Sequence, residues 1–173
     1  THDEFRPGNH VTRAEFLTML YRGVEGDAAP SYFGLDDISS DEGVDGFSDV
    51  GFSDWHFDVV QKAAGKGLVS GFKDGTFRPN APISRAEAVA MIGRFYEHYN
   101  ELEIFVDLPF RESKAFPDVA KDAWYYKQTD LAYQLGVVNG SSSGKFEPSR
   151  SLNRAESATL IYNLLRLKFE RGE

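Results

Sequence analysis

Apolar side chains recur along this chain at helical spacing. Phe16, Leu17, Leu20, Tyr21 and Val24 fall on one helix face, as do Val89, Ile92, Phe95 and Tyr96, and later Leu160, Ile161, Leu164 and Leu165. Each stripe follows a cap residue with glutamate three positions on: Thr12-x-x-Glu15, Ser84-x-x-Glu87 and Asn153-x-x-Glu156. This is the capping-box arrangement, in which two side chains satisfy orphan N–H groups at a helix start. Shorter stripes at Val59, Val60, Ala63, Ala64 and Gly67, and at Leu131, Ala132 and Leu135, predict two further helices. These should begin near Asp54 or Asp122 as capping residues and stop at Gly67 or Gly136. Between the two kinds of helix, Ser70-Gly-Phe-Lys-Asp-Gly-Thr-Phe-Arg-Pro79 is dense in turn chemistry and predicts a tight, hairpin-like excursion.

The pattern is a repeat. Phe47 to Trp55 aligns with Phe116 to Trp124 at an offset of 69, which also carries Gly67 to Gly136, Gly71 to Gly140, Phe77 to Phe146, Pro79 to Pro148, Arg85 to Arg154 and Glu87 to Glu156. At an offset of 72, Phe5-Arg6-Pro7 matches Phe77-Arg78-Pro79, and Thr12 to Glu15 matches Ser84 to Glu87. The chain divides into the second half of a first repeat (1–26), a connector (27–46), a second repeat (47–99), a connector (100–115) and a third repeat (116–170). With no initiator Met before Thr1, the chain reads as a piece of something longer, the first half of its first repeat lying upstream.

The 173 residues carry 27 acidic against 19 basic side chains, a formal charge of -8, which argues against general binding to a phosphate backbone or an anionic membrane. The 41% of hydrophobic residues suffice for a core. The absence of cysteine excludes disulfides and thiol chemistry, and four histidines without ligand spacing make a zinc site improbable. No apolar run reaches the roughly 20 residues of a membrane span. Asp36, Asp37, Asp41, Glu42 and Asp45 form an acidic connector that lacks the EF-hand pattern and reads as a solvated loop.

Phe-x-Asp-Val, then Trp, then Gly-Leu-Val-x-Gly-Phe-x-Asp-Gly-Thr-Phe-x-Pro and a closing Ser-Arg-Ala-Glu resembles the S-layer homology module over nearly the whole chain apart from its connectors. The resemblance implies a mainly α fold, helix-loop-helix repeats packed as a pseudo-threefold prism. It also implies extracellular, non-covalent anchoring to secondary cell-wall polysaccharide, often bearing pyruvate ketals, in grooves between repeats, without catalysis or cofactor.

On that reading Arg13, Arg85 and Arg154 occupy the first helical position, where free N–H groups and a bidentate guanidinium favour a carboxylate. The alternative is pairing with an aspartate of a neighbouring repeat. Trp55 and Trp124 either stack on a sugar or pack between repeats, with packing favoured. Asp49, Asp118, Asp74, Gly71 and Gly140 complete the candidate binding set, although each also reads as a turn residue. Glu15, Glu87 and Glu156 are explained by capping rather than by glycoside hydrolysis.

The third copy departs from the pattern: Ser143, Lys145 and Glu147 replace Asp74, Thr76 and Arg78, so its groove is expected to bind poorly. In the first copy the stripe of Phe16, Leu17, Leu20 and Tyr21 would lack its own short helix, and exposing such side chains costs about 1.5–3 kcal/mol each. Cleaved or disordered upstream residues, or another chain, would then cover it. A competing reading takes that open face as a scaffold for surface-layer subunits or a partner enzyme.

Overall fold

The computed structural model describes residues 5–25, 46–100 and 110–169; the acidic connector read as a solvated loop lies outside the described residues. Among the described residues there are helices α1 (Arg13–Glu25), α2 (Phe57–Gly65), α3 (Arg85–Asn100), α4 (Tyr126–Gln134) and α5 (Arg154–Phe169), joined by turns and isolated β-bridges.

All three long helices start with the capping box. The Glu15 carboxylate accepts from Thr12 N–H at 2.8 Å while Thr12 Oγ1 accepts from Glu15 N–H at 3.2 Å. Ser84 with Glu87 and Asn153 with Glu156 repeat this reciprocal pair. The short helices start otherwise. They begin at Phe57 and Tyr126 with no side-chain cap, and the Asp54 carboxylate instead accepts Gly51 N–H, at 2.7 Å, in the preceding turn. Their ends follow the glycine signal: Gly67 and Gly136 take positive φ, with Leu68 and Val137 N–H reaching back to Ala63 and Ala132.

Long helices α1, α3 and α5 contact one another pairwise, while α2 packs on α1 and α4 on α3. A short helix therefore covers the long helix of the preceding repeat, not its own. Gly93 marks one such contact, since a Cβ there would meet Gln128 Cγ at 2.7 Å; only glycine lets α4 lie this close to α3.

This packing corrects the expectation for the first repeat. Phe16, Leu17 and Leu20 are fully buried and Tyr21 nearly so, because other helices of the same chain enclose them. Among the described residues it is α5 that has no short helix against it. Tyr162, at the position equivalent to Tyr21 and Gly93, is 66% exposed there.

The repeats close into a ring. Val11 N–H donates to Leu152 C=O at 3.2 Å, Leu152 N–H to Ile83 C=O at 3.0 Å, and Ile83 N–H to Val11 C=O at 2.9 Å. These are equivalent positions of the three copies, all fully buried, and the β-bridges His10–Asn153, Thr12–Pro82 and Ser84–Ser151 follow the same cycle. The described residues are mainly helical with pseudo-threefold order, as the family resemblance implies.

A candidate groove between repeats

The closed ring determines what surrounds each signature arginine. Arg13 N–H donates to Ala81 C=O and Ala14 N–H to Pro79 C=O of the next repeat; Arg85 and Ala86 do the same to Arg150 and Pro148, and Arg154 and Ala155 to Asn9 and Pro7. The third N–H belongs to the capping box. The free N–H groups expected to greet an anion are thus occupied, and only the guanidinium remains as an anion handle.

The three guanidinium groups are not equivalent. Arg13 is 4% exposed, donates from Nε to Phe77 C=O and from Nη1 to Glu87 Oε1, both at 2.8 Å, and lies over the Phe72 and Phe77 rings. Burial lowers its pKa from the ordinary guanidinium value, with Glu87 opposing the shift. It pairs across the repeat boundary, but with the capping-box Glu87 and not with the aspartate that the alternative sequence reading named. Arg85 keeps the bond to Phe146 C=O at 2.8 Å. The carboxylate equivalent to Glu87, Glu156, is held instead by Arg150 at 2.7 Å. Arg154 lies over Phe5 and 3.9 Å from Glu15, with its Nε buried and unpaired among the described residues.

Asp49 and Asp118 act on the loops. Asp49 accepts from Phe77 and Arg78 N–H, both at 2.7 Å, and Asp118 from Phe146 and Glu147 N–H at 2.8 and 2.7 Å. Each carboxylate thereby fixes a left-handed residue, Arg78 at φ 57° or Glu147 at φ 60°, that a bulky side chain adopts only when its surroundings hold it. Asp74 accepts from Thr76 and Arg78 and lines the outside of the same turn; these bonds hold its carboxyl at about 2. Gly71 is sterically required, because a Cβ would lie 2.5 Å from Phe47 Cε1 and 2.6 Å from Thr76 C=O. Gly140 combines positive φ with a 2.7 Å approach to Phe116.

Trp55 and Trp124 are 64% and 61% exposed, which corrects the expectation of packing between repeats. Each indole stands edge-on against the residue that follows it, His56 or Tyr125.

One groove of about 410 Å³ gathers Arg13 from the first repeat, Gly71, Phe72, Lys73, Glu87 and Arg94 from the second, and Trp124 from the third. Of the sequence candidates it unites Arg13, Gly71 and Trp124; Asp49, Asp74, Asp118, Gly140, Arg85, Arg154 and Trp55 lie outside it. Lys73 and Arg94 went unnoticed in the sequence. The signal available was their position, since Arg94 is two helical turns beyond the capping-box Glu87 on the same face. Among the described residues no helix is long and apolar enough to cross a membrane, and no group of three or more His, Asp or Glu converges as a metal site.

The S-layer homology domain model matches residues 46–89 and 115–158. An endoglucanase from Bacillus sp. (strain KSM-635) is 34% identical over 93% of this chain and 15% of its own length. An amylopullulanase from Thermoanaerobacterium thermosulfurigenes is 33% identical over 95% of the chain and 8% of its own length. A cellulosome-anchoring protein from Acetivibrio thermocellus is 31% identical over 70% of the chain and 26% of its own length. The chain thus spans only a small part of these curated relatives, and the same part recurs in proteins with different names. With two matches to the family model inside a closed threefold of capped helices, the chain belongs to the S-layer homology domain family.

Proposed function

We propose that this chain is a non-catalytic anchoring module that holds a surface protein to the bacterial cell wall by binding a secondary cell-wall polysaccharide, with a pyruvate ketal as the group recognised. The observation that carries this reading is the inter-repeat groove, where a guanidinium, an exposed indole and a glycine-rich loop converge from three repeats. An indole of this exposure offers a face for a sugar ring, and a guanidinium offers a fork for its carboxylate. The names of an S-layer protein of Bacillus thuringiensis subsp. finitimus and of the cellulosome-anchoring relative support a place at the extracellular cell surface. The two hydrolase relatives match over a minor part of their length, in keeping with a module attached to an enzyme rather than one that hydrolyses. Each of Glu15, Glu87 and Glu156 is engaged in a capping box, which favours a structural over a hydrolytic role for these three carboxylates. The scaffold reading loses its basis, because the face it needed on α1 is buried.

Calorimetric titration with a pyruvylated wall-polymer fragment, and with the same fragment after mild hydrolysis of its ketal, tests the assignment. Affinity should fall at least about tenfold on loss of the acid, the scale of one charge-assisted hydrogen bond. Equal affinity for both fragments would refute recognition of the ketal.

A further inference from the structure

The groove beside Arg13 and the equivalent surface beside Arg85 share a backbone plan and differ in charge. The first holds three cations, Arg13, Lys73 and Arg94, against one carboxylate, Glu87. Glu87 is already joined to Arg13, whereas Lys73 and Arg94 have no hydrogen bond or ion pair among the described residues. Lys73 is exposed on the loop and Arg94 half-buried on α3. At the offset of 69 these two positions become Ser142 and Asn163. Asn163 is tied by its side-chain amide to Val137 C=O at 3.2 Å, and Arg150, where the second repeat has Ala81, closes on Glu156 and Glu147. One surface thus presents two further cations with no partner among the described residues, and its counterpart adds to Arg85 only neutral side chains and a self-satisfied ion cluster.

In a chain of net charge -8, unpaired cations inside a concave site mark where an anion is drawn in. We infer that Lys73 and Arg94 are ligand-contacting residues that make the Arg13 groove, and not its Arg85 counterpart, the site that captures acidic saccharide. Arg13 is largely occupied by Phe77 and Glu87, so it fixes the loop against the groove wall and offers its remaining Nη2. Lys73 and Arg94 supply the rest of the attraction, without the cost of breaking a pair between described residues. This inference rests on the anchoring role proposed above and assigns its specificity.

The test is titration of the unaltered chain, K73S/R94N and S142K/N163R with a pyruvylated wall-polymer fragment at several salt concentrations. The first double variant places the third repeat's residues in the second and removes no hydrogen bond between described residues, so its thermal midpoint should match the parent's. The expected result is one strong site per chain in the parent, an affinity loss of about tenfold or more in K73S/R94N, and a shallower salt dependence. S142K/N163R should add weak acid binding at the third repeat. Affinity and salt dependence of K73S/R94N equal to the parent's would overturn the cation assignment while leaving the anchoring role intact. A parent that does not bind the fragment would overturn both.

Discussion

Arg13 of the first repeat and Glu87 of the second are joined by a 2.8 Å charged hydrogen bond across the repeat boundary, and the corresponding Arg85 and Glu156 are not joined. Glu156 has turned instead to Arg150, which stands where the second repeat has Ala81 and is also held by Glu147. The two boundaries therefore share a fold and differ in how their charges are settled.

Arg13→Ala should accordingly destabilise the chain by about 3 kcal/mol, because it removes one member of a mostly buried pair and leaves Phe77 C=O without its donor. Arg85→Ala forfeits the bond to Phe146 C=O and the contact with the Phe146 ring but no ion pair, about 1–2 kcal/mol. Urea denaturation compares them directly. Equal losses would mean that the ion pair adds nothing beyond the carbonyl bond.

The two exposed indoles should separate in function. Trp124 borders the groove and Trp55 does not, although both occupy the same place in their repeats. Trp124→Ala is expected to weaken binding of a pyruvylated wall polymer about tenfold, the upper range for an aromatic stacking contact, and Trp55→Ala to leave it within about twofold. Pull-down on purified cell wall reads both variants. A larger loss for Trp55→Ala would place the saccharide elsewhere.

Acid should loosen the loops before neutral pH does. Burial alone would raise the Asp118 pKa, but the Phe146 and Glu147 N–H groups outweigh it and hold its carboxyl below the ordinary 3.8. The bond from Arg150, opposed by burial and aided by Asn153 N–H, holds Glu156 below 4.5. Depressed carboxyl pKa values stabilise the fold above the ordinary values, and that stability is lost as pH falls through the folded ones. The urea midpoint should stay level down to about pH 5 and then decline. D118N/E156Q should start lower at pH 7 and decline less steeply in acid; parallel curves for parent and variant would contradict the assignment.

At the far end of α1, Glu25 is nearly buried and accepts from Tyr99 Oη at 2.7 Å and Lys66 Nζ at 3.1 Å, while burial and Glu25 together raise the pKa values of Tyr21 and Tyr99. Lys66→Met should cost about 3 kcal/mol by stranding this carboxylate, and K66M/E25L should recover much of the loss, since an apolar pair of similar volume needs no counter-charge. A double-variant cycle by thermal denaturation checks this. Additive losses would show that the two side chains do not interact.

The long helices were legible in the sequence because their caps and stripes are local: Thr12 with Glu15 and Ser84 with Glu87 sit three residues apart, and a helix is closed by that spacing alone. The short helices were misplaced at their starts because Asp54 could serve either a helix or the turn before it, and Gly51 N–H, made available by tertiary geometry, took its carboxylate. Which helix covers which is non-local. Nothing in the stripe of Phe16, Leu17 and Leu20 reveals that α2 belongs to the preceding repeat's face. The groove was visible in part, through Arg13, Gly71 and Trp124, whose residue types are unusual for their settings. Lys73 and Arg94 resemble any solvated cation until the third dimension places them in one groove.

The cyclic bonds among Val11, Ile83 and Leu152 set a limit on growth. An open solenoid passes its unsatisfied end from one repeat to the next and lengthens by duplication. Here the last repeat returns its hydrogen bonds to the first, so a fourth copy inserted in tandem would find no vacant partner at the axis. Expansion of such a module must proceed by whole rings, and the loss of any one repeat breaks two seams at once.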